Sequence, residues 1–211
     1  METWEVVDAN RTDIAATVDG LTPQQWDAPT LCTAWKVRDV IAHMIEGSTM
    51  TTGQAVKALA KSGFRVNKMI TDGAIREGAA PPADLASGIR ATIGSRRKPP
   101  GIKAEGILSD EVIHSQDIRR ALGLAQQPAP DALRIALDYT AKSGSSLLPG
   151  KRRLKGLHVR ATDLDWTRGD PGDPEVSGSA EALLMALAGR APALDDLSGP
   201  GLDTLRARLA A

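Results

Sequence analysis

The sequence is poor in aromatic residues and in cysteine, and both shortages limit what the chain can be. Only 3% of its residues are aromatic although 42% are hydrophobic, so alanine, leucine, isoleucine and valine must build the core. An alanine-rich core favours helices, because alanine loses the least conformational freedom on entering one. The single cysteine, Cys32, excludes an internal disulfide, which is typical of proteins in a reducing compartment.

An excess of charge and long apolar runs are lacking as well. The 26 basic residues balance 26 acidic ones, whereas a nucleic-acid-binding protein usually carries a basic excess or stripe. No apolar run approaches the roughly 18 residues needed to span a bilayer, and the first residues lack the basic flank and apolar stretch of a signal peptide. We therefore expect a cytoplasmic protein that binds neither nucleic acid nor membranes.

Hydrophobic periodicity predicts a helical bundle followed by a small α/β part. Strand-like alternation begins at Leu157, Val159 and Ala161, and shorter strands are expected near residues 165–167 and 175–177. The fold class is mainly α, and we predict two domains, residues 1–150 and residues 151–211. A mobile stretch is expected after Gly63. Helices are predicted over residues 3–19, 37–61, 84–97, 103–122, 130–147 and 180–188, with a last helix ending near Leu209.

Two of the three histidines lie on predicted long helices and offer a metal site. Asp110 precedes His114 by four residues, so both side chains leave the same face of one helix. His43 lies on another helix, and facing helices of a bundle can bring such groups together. Two histidines and one carboxylate leave a coordination position for water or substrate. Glu111, three residues before His114, could take the place of Asp110.

Spacing alone leaves other interpretations open, because a histidine on an amphipathic helix is more often hydrogen-bonded than metal-bound. Asp39, four residues before His43, is expected to orient His43 or Arg38 rather than to bind a metal ion. Trp35 is expected to anchor the start of the helix or to line the mouth of the site. For Asp117 we expect contact with a substrate or a charge that closes the helix end.

Three segments resemble the mycothiol-dependent maleylpyruvate isomerase family. Residues Ala34 to His43 are similar to its Trp-x-Val-x-Asp-x-x-x-His segment. Residues Asp110 to Gly123 resemble its second motif, in which a carboxylate is followed by histidine four residues later, then by aspartate and a Leu-Gly ending. The segment from Ala161 to Arg190 is similar to C-terminal segments of the family. The resemblance therefore covers most of the chain.

This resemblance implies a DinB-like up-and-down four-helix bundle with an appendage, and a divalent metal ion, most simply zinc, bound by His43, Asp110 and His114. It also implies mycothiol as the thiol cosubstrate, a small organic substrate, and the activity of an isomerase or a thiol transferase. One departure is plain. The family pattern has glutamate where this chain has Asp110, whose side chain is one methylene shorter.

Three other functions stay open at this point. The chain could be a non-catalytic DinB-like metal-binding or stress-response protein, a metal-dependent hydrolase, or a purely structural helical domain. Metal content and binding of a low-molecular-weight thiol distinguish them from the thiol-dependent enzyme. The sequence assigns no catalytic residue beyond the candidate ligands, and it leaves open whether the chain forms a homodimer.

Overall fold

The computed structural model describes residues 2–210, which divide into two compact units. One unit extends to Gln126 and the other starts at Gln127. The helix predicted to begin at Pro130 belongs to the second unit. The two domains predicted from the sequence, with a boundary after residue 150, stay a prediction about which segments fold independently. No helix within residues 2–210 is long and apolar enough to cross a membrane.

The first unit is a helical bundle whose centre is the packing of one helix, α2, against three others. Helix α2 packs on α4, α5 and α6, while α1 packs on α5 and α6. A 3-10 turn at Gln25–Asp27 precedes α2. The helices are α1 (Thr3–Asp19), α2 (Val37–Thr49), α3 (Thr52–Lys61), α4 (Val66–Gly78), α5 (Pro82–Ala91) and α6 (Ala104–Leu122).

Apolar residues spaced by three and four positions build the core of this bundle. They come from α1, α2, α4, α5 and α6, together with two tryptophans from the segment between α1 and α2. The bundle predicted from periodicity is thereby confirmed. The larger side chains of this core are Ile14, Val18, Trp26, Trp35, Val37, Val40, Ile41, Met44, Leu85, Ile89 and Ile118.

The single helix predicted over residues 37–61 is wrong, because the chain breaks at Met50. Helix α2 ends at Thr49, and Met50 has an extended backbone. Thr51 then starts α3, since its side chain accepts a hydrogen bond from the Gln54 backbone N–H while the Gln54 side chain accepts from the Thr51 N–H. This reciprocal capping box satisfies N–H groups that an uninterrupted helix would have paired internally.

The mobile stretch predicted after Gly63 is also wrong, because residues Val66–Gly78 form α4. Helix α5 is shorter than predicted and ends at Ala91, three residues before Gly94, which adopts a positive φ of 80°. Helix α6 ends as expected at Gly123, whose left-handed conformation closes the helix.

The second unit combines helices with a small mixed sheet. The strands lie in the order β2-β1-β3-β4, with β1 and β3 parallel and both outer pairs antiparallel. Helix α9 packs on α7 and contacts β1 and β3. The predicted alternation along β1 is confirmed, since Val159 and Ala161 are buried between less buried neighbours. The elements are α7 (Pro130–Lys142), α8 (Gly150–Leu154), β1 (His158–Ala161), β2 (Thr167–Arg168), β3 (Glu175–Gly178), α9 (Ala180–Ala188), β4 (Leu197–Ser198) and α10 (Leu202–Ala210).

The close contact of α4 with α2 predicts that replacing glycine by alanine has opposite effects on stability at Gly78 and Gly47. A Cβ atom added at Gly78 would lie 3.0 Å from the Cα atom of Asp39, which α2 cannot easily move. We expect Gly78→Ala to lower the free energy of unfolding by about 1–3 kcal/mol, as overpacking does. Gly47, inside α2, has no neighbour within 4 Å of such a Cβ atom. Gly47→Ala should therefore stabilise the protein by about 0.5–1 kcal/mol. Urea denaturation of both variants tests this difference, and equal effects would contradict the packing described here.

Candidate metal centre

Helices α2 and α6 bring His43, Asp110 and His114 together, and these residues are called the His–Asp–His triad below. The two α6 members are four residues apart and share one helix face. His43 Nε2 lies 3.4 Å from Asp110 Oδ2, and His114 Nε2 lies 3.6 Å from Asp110 Oδ1. The carboxylate thus stands between the two imidazoles, with one oxygen toward each.

The spacing of these atoms fits a metal ion. One potential ligand atom from each residue can be chosen so that all three lie within 4.8 Å of one another. Two atoms bound to a tetrahedral zinc ion at about 2.0–2.2 Å are about 3.4 Å apart. Each imidazole nitrogen lies near this distance from one of the two Asp110 oxygens. Nitrogen and carboxylate oxygen are ordinary zinc ligands. The triad can therefore hold a divalent ion, and its role as the ligand set stays a prediction.

Asp117 fixes the orientation of His114. Its Oδ2 atom lies 3.0 Å from His114 Nδ1, and the Asp117 side chain is fully buried. A carboxylate at this distance favours the tautomer in which Nδ1 carries the proton, so that Nε2 keeps its lone pair on the side of Asp110. The expectation that Asp117 contacts a substrate or closes the helix end is replaced by this contact. The sequence contained a signal for this contact, because Asp117 follows His114 by three residues on the same helix.

Trp35 covers the histidine pair from one side. The indole centroid lies 4.8 Å from the His43 ring and 5.4 Å from the His114 ring, and the indole is only 6% exposed. The two imidazoles meet edge to face at 4.9 Å. Of the two roles expected for Trp35, the structure favours that of a buried packing residue, and its contacts place it against the triad itself.

Access to the triad is on the side of Asp110. The side chains of His43 and His114 are 15% and 10% exposed, whereas that of Asp110 is 46% exposed. Asp110 is also the one residue from Gly106 to Arg119 that escapes burial. A ligand from solvent would therefore approach the site past Asp110.

Two electrostatic effects act on His43. Burial disfavours its charged form, but the nearby carboxylates, above all that of Asp110, together raise the pKa of His43 above its ordinary value. Glu46, one turn further along α2, contributes in the same direction. A negative environment of this kind attracts a cation, whether a proton or a metal ion.

Glu111 does not compete with Asp110 for the triad, because its side chain points to a buried arginine. Arg11 Nε donates a hydrogen bond to Glu111 Oε1 at 2.8 Å, and both side chains are almost fully buried. Burial raises the pKa of Glu111 to about 7, against the opposing effect of Arg11. Of the two carboxylates that the spacing left open, Asp110 is the one that lies beside both imidazoles.

Asp39 acts at the start of α2 rather than on His43. Its Oδ2 atom accepts a hydrogen bond from the Lys36 backbone N–H at 3.0 Å. Arg38 turns away and donates to the Ala80 carbonyl oxygen at 3.0 Å. The expectation that Asp39 orients His43 or Arg38 is therefore corrected. Asp39 instead sets the position at which the His43 helix begins.

Comparison with known proteins agrees with the resemblance found in the sequence. Residues 7–98 match the family described as the mycothiol maleylpyruvate isomerase N-terminal domain. The match includes His43 and ends before Asp110 and His114. No curated protein sequence matches the chain.

Two crystal structures share the fold over nearly the whole chain. One is a histidine-to-alanine mutant of the mycothiol-dependent maleylpyruvate isomerase, with a TM-score of 0.58 and 13% sequence identity. The other is the mycothiol-dependent maleylpyruvate isomerase, with a TM-score of 0.57 and 14% identity. Each comparison covers 94% of this chain and 92% of the other. The DinB-like fold predicted from the two motifs is therefore confirmed.

The buried contact between Asp117 and His114 predicts that metal affinity depends on a residue that is not itself a ligand. Asp117→Asn removes the charge that makes His114 a stronger ligand, and we expect zinc to bind about 10–100-fold more weakly. Competition with a chromophoric chelator measures the affinity. Asp131→Asn, an exposed position in the first turn of α7, is the matched control and should bind zinc like the unmodified chain. Equal affinity in all three proteins would exclude this role for Asp117.

Proposed function

We propose that this chain, whose residues 7–98 match the mycothiol maleylpyruvate isomerase N-terminal domain, is a metal-dependent enzyme that activates mycothiol. His43, Asp110 and His114 would hold a divalent ion, with zinc as the first candidate. The observation that carries the proposal is the convergence of these three side chains, from two helices, at the spacing of metal ligands.

A bound divalent ion would supply an open coordination position at which a thiol loses its proton at neutral pH. The residues of the chain prepare that position in three ways. Asp117 holds the proton on Nδ1 of His114 and so keeps Nε2 available as a ligand atom. Trp35 excludes water from one side of the histidine pair. The side chain of Asp110 is the most exposed of the three, so the thiol would reach the metal position from the side of Asp110.

The proposed reaction class is isomerisation, with thiol transfer as the close alternative. In an isomerase the thiol adds to a cis double bond of a small organic substrate, the bond rotates, and the thiol leaves. In a transferase the thiol displaces a leaving group instead. Both use the same activated thiol, and both require a reducing compartment, for which we propose the cytoplasm.

The first test is metal analysis of protein purified without a polyhistidine tag, followed by calorimetric titration with mycothiol and by an assay of maleylpyruvate isomerisation. We expect about one divalent ion per chain and thiol binding that disappears when the ion is removed by a chelator. Metal without thiol binding would favour a non-catalytic metal-binding protein or a hydrolase. Protein that binds neither would leave only a structural role.

His114→Ala should remove one of three ligands and abolish stoichiometric metal content together with thiol binding. His158→Ala is the matched control, because His158 lies on β1 beside Glu175 and outside the triad. Retention of metal by His114→Ala, or its loss in both variants, would contradict the proposed ligand set.

Asp110→Glu tests whether the site is adapted to the shorter carboxylate. Each Asp110 oxygen already lies within 3.6 Å of one imidazole nitrogen, so the carboxylate reaches both rings without a longer side chain. An added methylene should displace the carboxylate and weaken zinc binding by about 10–100-fold. Tighter binding in Asp110→Glu would indicate that the family's glutamate suits this scaffold better than its own aspartate.

A further inference from the structure

We infer that Arg11, Ser48 and Glu111 form a buried clamp that positions α2 against α6 and thereby aligns the His–Asp–His triad. The inference rests on the proposed metal-binding function of the triad. Ser48 belongs to the helix that carries His43, and Glu111 to the helix that carries the other two triad members. The clamp joins these two helices directly, since Ser48 Oγ lies 3.4 Å from Glu111 Oε1.

The Arg11 guanidinium is the centre of the clamp and is fully buried. Its Nε donates to Glu111 Oε1 at 2.8 Å, and its Nη2 donates to Ser48 Oγ at 2.6 Å. Its Nη1 donates to the carbonyl oxygens of Thr92 and Ser95 at 2.7 and 2.8 Å. One side chain from α1 therefore binds α2, α6 and the segment that follows α5. Because the guanidinium is a rigid planar fork, it fixes the directions of these bonds relative to one another.

Stability alone is a weak explanation for this buried arginine–glutamate pair. Removing two charges from water is costly, and replacement of a buried pair by apolar residues of similar volume is often neutral or stabilising. The best attested benefit of buried polar groups is the choice of one register between packed helices. Apolar contacts between α2 and α6 tolerate sliding, whereas directional hydrogen bonds do not.

The clamp lies close enough to the triad to control it. Glu111 is adjacent to Asp110, and Ser48 follows His43 by five residues, about 7.5 Å along the helix axis. A slip of one residue shifts a helix by about 1.5 Å, while a functional site must be held to about 0.5 Å. The clamp residues are therefore positioning residues. They do not touch the metal position themselves.

The decisive experiment replaces the ion pair by apolar residues in the double variant Arg11→Met/Glu111→Leu. We expect this protein to stay folded, with a thermal midpoint close to that of the unmodified chain, but to bind zinc about tenfold more weakly or worse. Its cobalt-substituted form should show a changed d–d absorption spectrum, which reports ligand geometry and is insensitive to global stability. Wild-type zinc affinity and an unchanged cobalt spectrum in a folded double variant would overturn the inference.

Two further variants keep the test decisive. Ser48→Ala removes only the contact of the clamp with α2. If the double variant fails to fold, the zinc affinity and cobalt spectrum of Ser48→Ala test the inference instead. Ile14→Val, in the core on α1, is the matched control for mild destabilisation and should bind zinc normally. If Ile14→Val weakened zinc binding as much as Ser48→Ala, the effect would be one of general stability and the inference would be wrong.

A metal-free measurement separates this inference from the proposed function. The His43 and His114 rings are 4.9 Å apart, so their ring protons should give a nuclear Overhauser effect in the metal-free protein. Loss of this signal in Ser48→Ala, with the fold intact, supports the clamp even if the unmodified chain binds no zinc, a result that would overturn the proposed function alone. Retention of the signal in Ser48→Ala and in the double variant would overturn the clamp.

Discussion

Three groups that prefer water are held at the contact between α2 and α6, and this contact is the constraint on which the bundle depends. Burying a histidine or a carboxylate is costly unless each polar atom finds a partner. The two largely buried imidazoles meet this demand through carboxylates, since the half-exposed Asp110 faces both rings and the buried Asp117 binds the far nitrogen of His114. Helix α6 carries Asp110, His114 and Asp117, and it is buried from Gly106 to Arg119 except at Asp110.

Much of the helical fold could be predicted from periodicity, because apolar residues of α1, α2 and α6 recur every three to four positions. The polar residues buried among them, such as Arg11 and Asp117, are not part of that pattern. Helix α4 could not be predicted in this way. Its interface with α2 uses Gly73, Ala74 and Gly78, whose small size permits close approach but contributes little to a hydrophobic pattern. The end of α2 was missed for another reason. The capping box of Thr51 and Gln54 was present in the sequence, but helical spacing continued through it.

The candidate site was predicted in part. The grouping of His43, Asp110 and His114 could be predicted from two local motifs. Each motif can be recognised from the spacing of residues close together in the sequence. The direction in which the Glu111 side chain points could not be predicted, because it depends on Arg11, which lies 100 residues away in the sequence. No local spacing distinguishes Glu111 from Asp110, since either could face His114. Only the packing of α1 against α6 decides which carboxylate turns inward to the arginine and which faces the triad.

The contact of Trp35 with both imidazoles has an optical consequence. Indole emission is quenched by a neighbouring protonated imidazole and by many transition-metal ions, and it shifts when the polarity around the ring changes. Trp35 is shielded from solvent, so its emission depends mainly on the state of the two rings beside it. With the other three tryptophans replaced, the chain would carry a built-in fluorophore that reports, in real time and without a label, on whatever occupies the space between α2 and α6.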